Sequence, residues 1–319
     1  MNKLLILESD SFYPHYNQAL EKYLLERTGK NEVTLFLWQN EKTVFIGRNQ
    51  DAYSECDTEK LEADGGYLAR RITGGGAVYH DRGNLNVSFI CHKDIYDSAA
   101  QADIILKALE RLGIEAERNG RNDLLVRGRK FSGHAFYKGK ENCLHHCTLM
   151  IDVSEDDLAG YLKVSAVKLS AKNVASVRSR VINLKEVKED ISVDSLKKAL
   201  ILAAEEHYDC LSVPYAIEDP GYVKGLEKDF SDPVWCYGKN GPASYTGEKR
   251  INGTTLRVAF EMDGDTISRL SLYSDALDID AYKGVDKKLA GRTLSELRNI
   301  EDRELKEIAG LILEVCNEI

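Results

Sequence analysis

Long apolar runs are the first thing this sequence lacks. The stretch from Met1 to Leu7 holds only four consecutive apolar residues, far short of a signal h-region or a membrane span. No later stretch reaches spanning length, so neither a membrane association nor export is expected. Positive charge is also in deficit. Lys and Arg number 43 against 52 Asp and Glu, a net charge of −9, which argues against a general nucleic-acid binder because the phosphate backbone demands clustered cations. The cysteines number seven, odd and irregularly spaced, so no disulfide framework is expected and a reduced, cytoplasmic protein is. Internal repeats, low-complexity segments, a GxGxxG fingerprint and a GKS or GKT ending are all missing, which excludes the Rossmann and P-loop readings. What remains is ordinary for a folded chain: 319 residues, 43% hydrophobic and 30% charged, enough for one large domain or one large and one small.

The local patterns are mixed. Pro14 to Arg27 reads as an amphipathic helix with Ala19, Leu20, Tyr23 and Leu24 on one face, Pro14 in its first turn and Gly29 past its end. Val33 to Trp38 and Thr43 to Ile46 read as strands about a polar Gln39-Asn40-Glu41 turn. Leu85 to Phe89 alternates apolar and polar residues, the pattern of a half-exposed strand. Ala102, Ile105, Leu109 and Leu112 make a helical stripe stopped by Gly113, and Ser154 with Asp157 starts another helix that buries Leu158 and Leu162. After Pro214, the glycines and prolines from Gly221 to Pro242 interrupt long elements and suggest a linker or loop-rich crossing. Asn252-Gly253 and Asp263-Gly264 then mark two hairpin turns. A final helix carries Leu305, Ile308, Ile312 and Val315. Strands and helices are interspersed without a βαβ rhythm, so an α+β fold with a mixed sheet is expected, divided into residues 1–243 and a small C-terminal α+β domain, 244–319.

Three stretches carry chemistry. Arg70-Arg71-Ile72-Thr73-Gly74-Gly75-Gly76-Ala77-Val78-Tyr79-His80-Asp81 joins two arginines, suited to phosphate or carboxylate oxygens, to three glycines whose backbone lets a ligand approach closely. A bare triple glycine is equally a surface turn, and the residues alone give an anion site of unknown kind. From Gly120 to Ala135, two strands joined at Arg127-Gly128 would hold Lys130 on a rigid ribbon, where its ammonium can neutralise charge developing on a phosphoryl group. Asp123 offers a hard oxygen for a nucleotide-bound Mg²⁺, or is a turn residue. Cys143, His145, His146 and Cys147 crowd like zinc ligands, but on a strand His145 and His146 face opposite ways and cannot close a tetrahedron unaided. Lys168-Leu169 and Val177 to Leu184 add weak basic signals.

In their order along the chain these blocks resemble the lipoate–protein ligase family, bacterial type with a C-terminal accessory domain. The RRxSGGGAVFHDxGN block is Arg70 to Asn84, with Thr73 in place of Ser. GRNDL is Gly120 to Leu124, KxSGxA is Lys130 to Ala135, HHGTLL is His145 to Met150, and SVRSRVxNL runs from Ser176 to Leu184. Trp38-Gln39-Asn40, Gly47-Arg48-Asn49-Gln50 and Tyr273-Ser274-Asp275-Ala276-Leu277 extend the likeness over nearly the whole chain. The resemblance implies a mixed-sheet, biotin/lipoate ligase-like catalytic domain. It also implies a two-step reaction: ATP activates lipoate to lipoyl-adenylate, and the lipoyl group then passes to a lysine of an apo lipoyl domain. The acceptor would be a 2-oxoacid dehydrogenase acyltransferase subunit, the glycine-cleavage carrier protein, or both. Lys130 is then the catalytic residue. ATP falls to Arg71, Gly76, Ala77, Val78, Tyr79, Lys130, Asn84 and Asp123. Lipoate falls to Arg71, Gly74, Gly75, Gly76, Lys130 and His134, with Mg²⁺ carried on the nucleotide beside Asp123. A monomer is the default expectation.

Two positions depart from the family pattern. His134 stands where a small residue is usual, and Cys147 replaces the glycine after the paired histidines. Either this is family variation in strands that line the pocket, or the two narrow or reshape the acyl slot and shift the preference among lipoate, octanoate and related acids. The alternatives are a cysteine-dependent octanoyl or lipoyl transferase of the same superfamily, with Cys143 or Cys147 as nucleophile, and a non-catalytic paralogue that only binds lipoyl domains or lipoate. A biotin ligase is disfavoured by the lack of a GRGRxG-type loop.

Overall fold

The computed structural model describes residues 3–120, 122–163, 180–239, 241 and 243–317. Arg121, Lys168-Leu169 and the residues of the Ser176–Leu184 block up to Ser179 lie outside the described residues.

Fourteen strands are described: β1 (Lys3–Glu8), β2 (Glu32–Trp38), β3 (Thr43–Ile46), β4 (Tyr67–Arg70), β5 (Val78–His80), β6 (Asn84–His92), β7 (Glu117–Asn119), β8 (Asp123–Val126), β9 (Arg129–Lys138), β10 (Asn142–Met150), β11 (Ser212–Pro214), β12 (Tyr245–Ile251), β13 (Thr254–Asp263) and β14 (Thr266–Ser274). The main sheet has eight strands in the order β11-β1-β2-β6-β10-β9-β8-β7. Its β11-β1-β2 edge is parallel and the pairs from β2 through β8 to β7 are antiparallel, so the sheet is mixed as expected. A second sheet, β4-β3-β5, packs nearby. The Gln39-Asn40-Glu41 turn therefore links two sheets and closes no hairpin, since β2 pairs only within the first and β3 only within the second.

Both faces of the main sheet are covered. Val33, Leu35 and Leu37 of β2, with Val87 and Phe89 of β6, pack against the helices Ser98–Arg111 and Val193–Tyr208. Phe36 and Trp38, with Ile90 and Leu144, pack on the other face beneath the helix Pro14–Arg27. This corrects the half-exposed reading of Leu85 to Phe89. Every residue from Asn84 to Cys91 is buried, and Asn86 and Ser88, which looked solvent-facing, point into a protein layer where side chains bond them. Alternation reports two different environments here, not an inside and an outside. The helix Pro14–Arg27 is likewise buried beyond its apolar stripe, for Asn17, Gln18 and Glu21 are buried too.

The segment after Pro214 is a second correction. It contains the helices Pro220–Ser231 and Pro233–Tyr237, each with its proline in the first turn and an aspartate cap, Asp219 or Asp232, accepting a backbone N–H. Proline there starts a helix, because its missing N–H is one that the first turn leaves unbonded anyway. Beyond residue 243, β12-β13-β14 form an antiparallel sheet with its own apolar cluster, including Leu256, Val258, Phe260, Ile308 and Ile312 of the closing helix Arg303–Asn317. Asn252 and Gly253 both adopt positive φ in the first turn, as a two-residue hairpin requires.

Close backbone approach fixes one junction. A Cβ on Gly83 would stand 2.0 Å from the Asp152 carbonyl oxygen, where β6 begins and β10 ends. Gly225, in the exposed face of a helix, has nothing within 4 Å. Gly83→Ala is expected to lose about 1–3 kcal/mol of stability by overpacking, whereas Gly225→Ala gains up to about 1 kcal/mol of helix propensity. Urea unfolding of both variants checks the opposite signs.

Candidate active site

Lys130 stands on β9, paired to Leu125 on one side and bridged to Val181 on the other, with its carbonyl accepting from the Ile182 N–H at 2.9 Å. Its backbone is thus tied from both sides. The β8–β9 turn is as the residues foretold, with Arg127 and Gly128 both at positive φ. The ammonium lies 2.6 Å from Asp123 Oδ1 and remains a third exposed. That oxygen makes an ion pair without the alignment of a hydrogen bond. Gly133 keeps the path of the lysine clear, since a Cβ there would sit 3.0 Å from Nζ.

The glycine ribbon approaches from the second sheet. Both arginines before it are buried, each 7% exposed, and meet backbone carbonyls rather than an open anion site. Arg70 donates to the carbonyls of Gly47, Arg48, Gln50, Trp235 and Cys236. Arg71 Nη2 donates to the carbonyls of Gly74 and Gly76, both at 2.8 Å, and Nε to Thr73 Oγ1 at 3.0 Å. Burial lowers the Arg71 pKa to about 10, so the group keeps its charge at neutral pH. From the opposite side, Gly75 N–H donates to the Ala276 carbonyl at 2.9 Å. A Cβ on Gly74 would stand 2.2 Å from that same oxygen. The Tyr273–Leu277 block of the last sheet therefore closes over the ribbon.

Lys130 and the ribbon line one cavity of about 120 Å³. Of the residues expected from sequence, it gathers Arg71, Gly75, Gly76, Ala77, Val78, Lys130 and His134. Gly74, Tyr79, Asn84 and Asp123 are outside its lining. Gly74 is pressed on Ala276, and Tyr79 is buried with its hydroxyl donating to Asp157. Asn84 donates to Asn86 Oδ1 at 3.1 Å, and Asp123 touches the site only through Lys130. Sequence reasoning missed Gln18, Glu21, Phe45, His80, Asn86 and Thr148, which line the cavity together with Trp38, Asn122, Gly133, Ala135, His146 and Cys147. Gln18 and Glu21 sit among the many polar residues of the helix Pro14–Arg27, so the sequence offered no signal for them.

The paired histidines do face opposite ways. His146 Nε2 lies 2.8 Å from Thr73 Oγ1 and its Nδ1 2.9 Å from Glu21 Oε1. Ser88 also donates to that oxygen and accepts in turn from Trp38 Nε1. On the other face, His145 bonds His134 and Gln101 at 2.7 and 3.0 Å. His134, opposite Cys147 across the β9–β10 pair, has its ring nitrogens committed to His145 and Ser132. Cys147 belongs to the apolar cluster beneath the helix Ser98–Arg111. Burial pushes its thiol up to about 12 and raises Cys143 as well, the reverse of what a cysteine nucleophile needs.

Comparison with known proteins follows this geometry. The family model described as the lipoyl protein ligase A/B catalytic domain matches residues 13–205. The chain belongs to this family. Among curated proteins, the lipoate-protein ligase A of Psychrobacter cryohalolentis is 37% identical over 90% of this chain and 88% of its own length. Among solved structures, Plasmodium falciparum LipL1 in complex with lipoate superposes with a TM-score of 0.79 at 29% identity, over 98% of this chain and 99% of that one. A lipoate-protein ligase A bound with ATP gives 0.65 at 26% identity, over 74% and 98%. Family membership fits the mixed-sheet α+β architecture.

Burial holds several site histidines neutral, and this has a sign. His80 and His134 are each pushed down to about 3, chiefly by desolvation, and His145 well below its ordinary value. Below the ordinary value near 6.5 the unfolded chain takes up protons that the folded chain refuses, so stability falls as pH drops toward 3. The slope is about 1.4 kcal/mol per pH unit for each histidine. Urea unfolding is expected to show lower stability at pH 5.5 than at pH 7.5, by about 1 kcal/mol for each histidine that burial keeps neutral at the lower pH.

Proposed function

We propose that this protein is an ATP-dependent lipoate–protein ligase. The carrying observation is the convergence on one cavity of a fixed ammonium, Lys130, and a glycine ribbon clamped by Arg71. A carboxylate is a poor acyl donor until its oxygen becomes part of a phosphate leaving group. In the first step a lipoate carboxylate oxygen attacks the α-phosphorus of ATP, the bond to the β-phosphate oxygen breaks, and pyrophosphate leaves. In the second, the neutral amine of an acceptor lysine attacks the acyl carbon of lipoyl-adenylate, AMP leaves with the bonding electron pair, and the amine sheds its proton as the amide forms.

Lys130 serves both steps by lying between the acyl carbonyl and the α-phosphate, where its charge stabilises the anionic transition states. Its site on a backbone tied from two sides limits reorganisation. The ribbon, free of side chains at Gly75 and Gly76, admits the acyl tail and the nucleotide, with the backbone from Gly76 to Tyr79 against the adenine. Arg71 acts from beneath, shaping the ribbon and adding a buried positive charge to the site. Asp123, its Oδ1 lacking an aligned donor, supplies a hard oxygen suited to a Mg²⁺ bound to the nucleotide. Asn84 acts at one remove, through Asn86.

The acceptor is an apo lipoyl domain, of a 2-oxoacid dehydrogenase acyltransferase subunit or the glycine-cleavage carrier. The protein acts as a cytoplasmic monomer divided near residue 243. Among the described residues no helix is long and apolar enough to cross a membrane.

Lys130→Met is expected to lower pyrophosphate release and lipoyl transfer by about a thousandfold while the fold, followed by urea unfolding, is retained. Mass spectrometry of an apo lipoyl domain incubated with enzyme, ATP, Mg²⁺ and lipoate reads the transfer directly. A lipoyl mass increment that persists at the wild-type rate in the variant would remove Lys130 from the mechanism.

A further inference from the structure

Strand register shows how the cavity runs. Gly133, beside the Lys130 ammonium, donates its N–H to Thr148 Oγ1 at 3.2 Å. Thr148 is paired with Asn86, and Asn86 with Trp38. Directly opposed residues of paired strands share a face, so these side chains form one row across β9, β10, β6 and β2. At about 4.8 Å per strand the row is roughly 14 Å long. An acid with its carboxylate at Lys130 therefore sends its tail toward Trp38.

The far end is not wholly apolar. The His80 ring lies 4.9 Å from Phe45 and 6.4 Å from Trp38, is 3% exposed, and lines the cavity. A chain of hydrogen bonds fixes its tautomer. Asn17 Nδ2 lies 2.9 and 2.8 Å from the carbonyls of Ser11 and Gln39, acceptors only, so this atom is the amide nitrogen. Asn40 Oδ1 lies 3.0 Å from it, a position that an amide oxygen can share with the two carbonyls and a second NH2 cannot take, which leaves Asn40 Nδ2 to donate to His80 Nδ1 at 3.1 Å. A neutral imidazole that accepts at Nδ1 carries its proton on Nε2. That N–H has no partner among the described residues. A buried donor among aromatic rings, held in place with nothing to bond, awaits an acceptor from a ligand.

We propose that His80 is a specificity-determining residue whose Nε2–H, oriented by Asn40 and Asn17, donates to a dithiolane sulfur at the distal end of the cavity, so that the protein selects lipoate over saturated acids of similar length. The inference rests on the reading of the cavity as the acid-activating site. A saturated tail leaves the N–H unpaired against Phe45 and Trp38, and a site built around a polar contact rejects the analogue that lacks it. Sulfur is a weak acceptor, so the discrimination is smaller than hydroxyl recognition achieves.

The test uses the full-length protein with ATP and three acids: lipoate, octanoate, and 5-cyclopentylpentanoate, which keeps the ring and chain of lipoate but replaces both sulfurs by methylenes. Pyrophosphate release by the wild type should show kcat/KM for lipoate at least about tenfold above that for the cyclopentyl acid, carried mainly by KM. His80→Phe should shrink this gap to about twofold or less, chiefly by weakening lipoate. Asn40→Asp, whose carboxylate accepts from Nδ1 and so draws the proton away from Nε2, should narrow it too. Equal use of lipoate and the cyclopentyl acid by the wild type overturns the proposal whatever the variants do, as does a His80→Phe enzyme with the gap intact. Activation of all three acids alike would defeat this proposal and leave the ligase function standing. Activation of none would defeat both.

Discussion

The site depends on a buried cation, Arg71, whose hydrogen bonds among the described residues go to carbonyls and a hydroxyl. Arg71 spends its donors on the carbonyls of Gly74 and Gly76 and on the Thr73 hydroxyl. A ribbon of three glycines has more conformational freedom to lose than any other tripeptide, and left alone it would be a mobile turn. The planar fork of the guanidinium offers several fixed donors at once, which a lysine cannot. Carbonyls drawn toward Arg71 leave the other side of the ribbon to face the cavity. Arg70 repeats the device one residue earlier, gathering the loop at Gly47 to Gln50 and the segment at Trp235 and Cys236.

Around this clamp the contacts are close enough to exclude side chains. Gly47 lies against the Gly75 carbonyl, and Gly74 against Ala276, so the ribbon is pressed between a loop of the second sheet and the segment after β14. The sheet β12-β13-β14 is thereby in contact with the chemistry through its last few residues. Facing the ribbon, the main sheet uses its two sides differently. His146, Thr148 and Asn86 present polar groups to the cavity; His145 lies behind it, and His134 and Cys147, which also line it, tie their side chains into the histidine network and the apolar cluster. The two residues that depart from the family pattern thus line the cavity while their side chains are bonded or packed into the layer behind it.

Much of this was legible in the residues because local rules and the fold agree. Pro14, Gly113 and Ser154 bounded helices, Arg127-Gly128 and Asn252-Gly253 made turns, and the strand-like runs on either side of Arg127-Gly128 placed Lys130 on a strand. Legibility failed where a residue's partner is distant in sequence. Asn86 and Ser88 read as solvent-facing because alternation cannot tell water from a second protein layer. Pro233 read as a breaker because a helix start depends on the aspartate before the proline. Arg70 read as an anion ligand because the carbonyls that occupy it come from as far away as Trp235 and Cys236. Gln18 and Glu21 gave no signal as site residues, since only the crossing of the helix Pro14–Arg27 over the main sheet brings them to the cavity, and His80 gave none because its place beside Trp38 and Phe45 depends on the pairing of β5 with β3.

The central claim, that Lys130 and the arginine-clamped ribbon hold one mixed acyl-phosphate between them, is tested most directly by a crystal structure with a non-hydrolysable lipoyl-adenylate analogue. The account predicts the acyl–phosphate linkage within hydrogen-bonding distance of Lys130 Nζ, the tail along the row toward Trp38, and the Arg71 bonds to Gly74 and Gly76 intact. An analogue bound away from Lys130, as in the crevice beside Arg48 and Trp235, would contradict it.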